Sequence, residues 1–170
     1  RGDTQRGVEA IERCLVELNE SRYELLTTAF NLSLAEGLTM AGRSHEALAL
    51  LDDTLASVHA NGDLYNLPEL LRAKARALRS TSEHRPQEVE ETLAQSLDWS
   101  RRQGARGWEL RTAMDLARLW SENGRTRQAG ALLRSVFDHY TEGFETADLQ
   151  EAARLLARFE AAAAGVAPVG

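Results

Sequence analysis

The sequence predicts an all-α fold: a right-handed α-solenoid of antiparallel helix pairs, about eight helices long, with a C-terminal capping helix. Three observations predict it. The 170 residues hold 26 Leu and 26 Ala against one Ile and seven Val. Leu and Ala give up little rotamer freedom in a helix, whereas β-branched residues favour strands. Helix start and stop signals recur at short intervals from end to end. Small and apolar residues then repeat with a period of about 40 residues, two helices to the period, which is the pattern of stacked helical pairs. A chain of this length makes one ordinary domain or a short stack of repeats, and residues 1–164 read as one repeat domain.

The elements follow in order. Val8, Ile11, Leu15 and Leu18 fall on one face of a first helix (residues 1–20), with Asp3 near its start. It reads as the second half of a truncated repeat, with a stripe open to an upstream repeat or to self-association. Residues 22–61 form a repeat. A helix over 22–41 stops at Gly42, and a second takes Ser44 as N-cap, carries Glu46 in its first turn and ends at Asn61-Gly62. Residues 64–104 form the next. A helix over 67–80 has Pro68 in its first turn, where the missing N–H costs nothing, and a helix from Pro86 to Gln103-Gly104 sets Glu88, Glu90 and Glu91 at the positive end of its dipole. Residues 107–142 hold a helix over 108–123, stopped by Gly124, and another over 126–141. Residues 146–164 read as a cap. Leu149, Ala152, Ala153, Leu156 and Phe159 make its apolar face, and Gln150, Glu151, Arg154 and Arg158 its wet one. Residues 165–170 read as a disordered tail.

Gly42, Ser82 and Gly124 end alternate helices, and Ala35, Ala75 and Ala117 stand seven positions before them. Ala47, Val89 and Ala129 open the following helices, with Leu51, Leu93 and Leu133 four residues on. Small residues let two helices approach closely, and the Leu fills the groove beside them.

Little in the sequence points to chemistry. A net charge of −6 argues against a phosphate-driven nucleic-acid binder. The single Cys14 cannot form an internal disulfide, so a reducing, cytoplasmic setting is the default. Beside the Ile11/Leu15 stripe it reads as a buried small hydrophobe. No stretch approaches the roughly 20 apolar residues that span a bilayer. The opening Arg1-Gly2-Asp3 has neither an initiator Met nor an apolar signal core, and reads as an excerpt from a longer chain. G-x-x-x-x-G-K-[ST], G-x-G-x-x-G and G-x-S-x-G are absent. His45, His59, His84 and His139 are scattered and form no metal-binding pair. The expectation is therefore no catalytic, cofactor or metal site. Trp99, Trp108 and Trp120 read as packing residues near helix ends, and Phe137, Phe144 and Phe159 as the seal of the last repeat.

If first helices line the concave face, the candidate groove is Glu36, Met40, Arg72, Arg76, Arg79, Arg111, Met114 and Arg118. Arg72, Arg76 and Arg79 put like charges on one stripe, a cost of a few tenths of a kcal/mol per pair unless something offsets it. Such a stripe suits bidentate capture of a carboxylate-bearing peptide. Its alternative is a solvated face with Glu36, Glu69 and Glu122 as local partners. An anionic effector held near Met40, Arg76 and Met114 is the competing functional reading.

Ala35, Gly42, Ala47 and Leu51 resemble the tetratricopeptide (TPR) pattern, as do Ala117, Gly124, Ala129 and Leu133. The middle unit departs from it, with fourteen residues from Ala75 to Val89 and Ser82 at the turn. Asn31 and Ala113 stand where the family pattern has its first Trp. Further phrases run from Ala41-Gly42-Arg43 and Glu46-Ala47-Leu48 through Trp108-Glu109-Leu110-Arg111 to Tyr140-Thr141-Glu142-Gly143-Phe144. These resemble the C-terminal helical-repeat region of large bacterial signalling ATPases, many of them cyclase-linked. The resemblance implies a non-catalytic interaction or regulatory scaffold, with ATPase or cyclase chemistry upstream. Its expected partner is a protein, a peptide or an upstream domain, with no nucleic acid and no membrane.

Overall fold

A computed structural model describes residues 2–20, 27–83 and 85–163. Among the described residues there are eight helices and no strand: α1 Gly2–Glu20, α2 Thr27–Met40, α3 Ser44–Asn61, α4 Leu67–Ser80, α5 Pro86–Arg102, α6 Arg106–Glu122, α7 Thr126–Phe137 and α8 Ala147–Ala163. The expected helix start over residues 22–26, the side chain of Leu18, His84 and the tail after 163 lie outside the described residues.

The turns follow from glycine. Gly42 adopts φ +83°, and the chain wraps it with Gly42 N–H to the Thr39 carbonyl at 3.1 Å and Arg43 N–H to that of Leu38 at 2.8 Å. Gly124 (φ +76°) repeats this with Ser121 at 3.1 Å and Trp120 at 2.8 Å. Both are Schellman closures, where a side chain would be strained. The expected N-cap is corrected. Arg43 caps α3 by backbone alone, and Ser44 lies inside the first turn, buried, its hydroxyl without a hydrogen-bond partner. α7 stops at Phe137 rather than near 141, because the chain tightens into i→i+3 bonds at His139 and Tyr140.

The chain divides into two compact units, Arg1–Gln95 and Ser96–Gly170, with the division inside α5. In the first, α2 packs on α1, α3 and α4, and α4 also packs on α3. Ala35, Ala47, Leu51 and Ala75 are fully shielded, as are Val89 and Leu93 on α5. α4 is covered on all sides over its first two turns, from Leu67 through Ala73. α1 seats Val8 and Leu15 inward, and Gly37 makes room for it: a Cβ there would stand 3.0 Å from Val8 Cγ2. Cys14 is exposed, which corrects the expectation of a buried thiol. Successive helical residues point about 100° apart, so seating Leu15 turns Cys14 outward. It joins Arg6, Glu9, Arg13 and Glu17 on the exposed side.

In the second unit, α7 packs on α6 and α8, and α8 also reaches α6. Ala113, Ala117, Ala129 and Leu133 are fully buried. Hydroxyls complete the α5–α6 contact: Ser96 and Thr112, both inaccessible, lie 2.8 Å apart. The cap buries Leu149, Ala152, Leu155, Leu156 and Phe159, whereas Ala153 is exposed, so Leu155 takes the place expected of Ala153 on an otherwise unchanged apolar face.

Candidate functional site

Eight residues define the candidate groove, and each unit carries part of them. In the first unit α2 and α4 lie side by side. Arg72 is only 8% exposed and binds Glu69 with both forks, Nε to Oε1 at 3.0 Å and Nη2 to Oε2 at 2.7 Å. Glu36 on α2 stands 3.7 Å from Arg72 and also 3.7 Å from Arg76. The arginine stripe is thus interleaved with carboxylates, which removes the like-charge cost expected of it. Arg72 is a packing residue. Arg76 and Arg79 are exposed, and Met40, one turn beyond Glu36, is 73% exposed. Met40 on α2 and Arg76 and Arg79 on α4 are thus exposed on two helices that pack side by side.

The second unit uses its candidates differently. Arg111 Nε donates to Asp148 at 2.7 Å, and Arg118 donates to Asp115 at 3.0 Å and to Glu151 at 2.9 Å. Asp148 and Glu151 belong to α8, so these two arginines dock the cap. The Arg118 hydrogen bond holds the Glu151 carboxyl below its ordinary range. Met114 is buried. Counting positions along α6 alone could not show this, because the residues that claim its arginines arrive more than 30 positions later.

Trp99, Trp108, Trp120 and Phe137 are half-buried and Phe159 is buried, whereas Phe144, expected to help seal the last repeat, is 47% exposed. The Arg125 guanidinium lies 4.6 Å from the Trp120 ring centre, and that of Arg102 lies 5.4 Å from Trp99. Phe137 and Phe144 meet with ring centres 5.8 Å apart, and Thr146 donates to the Gly143 carbonyl at 2.7 Å. The Thr141-Glu142-Gly143-Phe144 phrase therefore builds the corner that turns α7 into α8. Tyr140 donates its hydroxyl to the Arg106 carbonyl at 2.7 Å, and burial pushes its pKa up.

One pairing escaped sequence reasoning. Asn31 Nδ2 donates to Thr54 Oγ1 at 3.1 Å, 23 positions away. Its signal was a polar residue at the position the TPR pattern gives to Trp, since a half-buried amide needs a partner. Among the described residues no helix is long and apolar enough to cross a membrane, and no group of three or more His, Cys, Asp or Glu is placed to hold a metal.

Comparison with solved structures decides the architecture. A kinesin-light-chain-type protein of Podosopora anserina with nearly identical TPR-like repeats matches with TM-score 0.70 and 22% identity, over 96% of this chain and 81% of that one. The fold is TPR-like. A point variant of that protein matches equally, with TM-score 0.72 and 22% identity over 96% of this chain and 80% of the other. No protein-family model matches the chain, and no curated protein does. Ala35, Ala75 and Ala117 lie buried at the positions the TPR-like reading gives them.

Proposed function

We propose that this chain is a non-catalytic protein-interaction scaffold that takes an acidic, apolar peptide segment on the α2/α4 face. The observation that carries this reading is Met40, with Arg76 and Arg79 one helix away, on a surface made rigid by the buried Arg72–Glu69 fork. Exposed methionine is an adaptable contact, and guanidinium groups capture carboxylates bidentately. The TPR-like fold supports a scaffold role as analogy only, since function resides in the site. The finer context is a regulatory arm of a larger cytoplasmic signalling ATPase. It rests on the phrases from Ala41-Gly42-Arg43 to Gly143-Phe144.

The test is fluorescence polarisation with peptides that carry one large apolar residue between Asp or Glu residues. Arg76→Glu/Arg79→Glu should weaken binding by more than tenfold, as expected when charge-assisted contacts become repulsive. Unchanged binding removes the site. Arg72 is left intact, because its loss would perturb the fold. The reading as a sensor of an anionic effector has less support, because Met114 is in the core and cannot touch a ligand. A melting point that rises with the concentration of an anionic metabolite would favour it.

A further inference from the structure

Glu36 on α2 holds one carboxylate oxygen between two guanidinium groups of α4: Oε1 stands 3.7 Å from Arg72 Nη2 and 3.7 Å from Arg76 Nη1. Both gaps exceed the roughly 2.7–3.2 Å of a formed N–H···O hydrogen bond. The contact is therefore held by charge and is loose. Arg72 does not depend on it, because Glu69 meets that guanidinium at 2.7 Å from a side chain only 8% exposed. Arg76 is differently placed. Its side chain is half in water, and among the described residues its carboxylate partner is Glu36. Glu36 is itself 40% exposed, and Met40 follows one turn later on the same helix. A carboxylate of the protein's own thus stands at a guanidinium that a partner's carboxylate would use.

We infer that Glu36 is a specificity-determining residue of the α2/α4 face: it occupies Arg76 in the free protein, and the acidic residue of a peptide must displace it there. This role rests on the peptide-binding reading of that face. The exchange trades one carboxylate for another, so Glu36 subtracts from what an acidic residue gains at Arg76. A neutral polar residue has no charge to trade, and the resident carboxylate keeps Arg76 from it.

The experiment is a polarisation titration of the whole chain with the acidic, apolar peptides and with versions whose Asp and Glu are changed to Asn and Gln. Glu36→Gln should tighten binding of the acidic peptides about two- to fivefold, the size of an exposed charge contact, and leave the neutral versions as they were. The substitution keeps the shape of the side chain and leaves the Arg72–Glu69 fork in place, which circular dichroism checks. Glu9→Gln, on the exposed side of α1, changes net charge equally and should not alter affinity. In an Arg76→Gln background Glu36→Gln should give no gain, because the group it frees is gone, whereas a long-range charge effect would persist. Acidic peptides that bind Glu36→Gln no better than the parent overturn the role of Glu36. So does a gain shared by the neutral peptides or by Glu9→Gln, or one retained without Arg76. If Arg76→Glu/Arg79→Glu still weakens binding in that case, the face survives as the peptide site and the role of Glu36 alone falls. If neither the parent nor Glu36→Gln binds any acidic peptide, both fall.

Discussion

The buried fork on α4 permits a sharp energetic test. Arg72 and Glu69 sit three positions apart with side chains 10% and 8% exposed, joined by contacts of 3.0 and 2.7 Å. Replacing Glu69 with Leu strands a guanidinium nine-tenths out of water, with Glu36 3.7 Å away as a partly exposed substitute partner. Breaking a buried pair commonly costs 3–5 kcal/mol, and Glu36 offsets part of that, so the expected loss is about 2–4 kcal/mol. Arg72→Leu should cost about 3 kcal/mol for the same reason on the other partner. Glu69→Leu/Arg72→Leu removes both charges and fills the volume with carbon, so it should lie within about 1 kcal/mol of the parent. Urea melts of the four proteins give the coupling directly, and it should exceed about 2 kcal/mol in favour of the pair. In a chain of this size that is about 4–8 °C between single and double variants. A Glu69→Leu loss below about 1 kcal/mol, or a double variant no better than its worse parent, would show that the pair is solvated and the reasoning wrong.

Other consequences can be checked alongside. Ala117→Leu adds carbon at a fully buried helix crossing and should cost about 1–3 kcal/mol, read as a drop in melting temperature; no drop would mean the crossing has slack. Gly37→Ala should be near neutral, because about 1 kcal/mol of helix propensity meets a 3.0 Å approach to Val8. In a Val8→Ala background the same change should be stabilising, and additive melts would refute the contact. The Glu151 carboxyl is depressed in the folded protein, so its contribution to stability is present above the ordinary glutamate value of 4.5 and is lost as pH falls through the folded value. Glu151→Gln should remove that part of the acid-side slope, and parallel pH–stability curves for variant and parent would sink the assignment.

Helix ends were legible where glycine ended them, because a residue at positive φ leaves few alternatives at Gly42, Gly62 and Gly124. Crossing points were legible too, since alanine seven positions before a turn has little other use on a helix so rich in leucine. What the sequence hid depends on neighbours. Arg111 and Arg118 satisfy groove geometry along α6, but α8 claims them. Cys14 and Leu15 are adjacent in sequence, and a small rotation decides which of them is covered. Ser44 has every property of a cap except its place, one residue too late. Asn31 and Thr54 meet across a hairpin, a pairing that no local period encodes.

The matching closures at Gly42 and Gly124 bear on how such a chain can change length. A third, at Gly104, uses the same bonds, with its N–H to the Arg101 carbonyl at 3.1 Å and Ala105 N–H to that of Ser100 at 2.9 Å. A junction built from main-chain atoms and one glycine makes no demand on the side chains to either side. Tandem duplication or deletion of a cassette cut at these joints would therefore rejoin without new chemistry, leaving only the faces of the inserted rods to be matched.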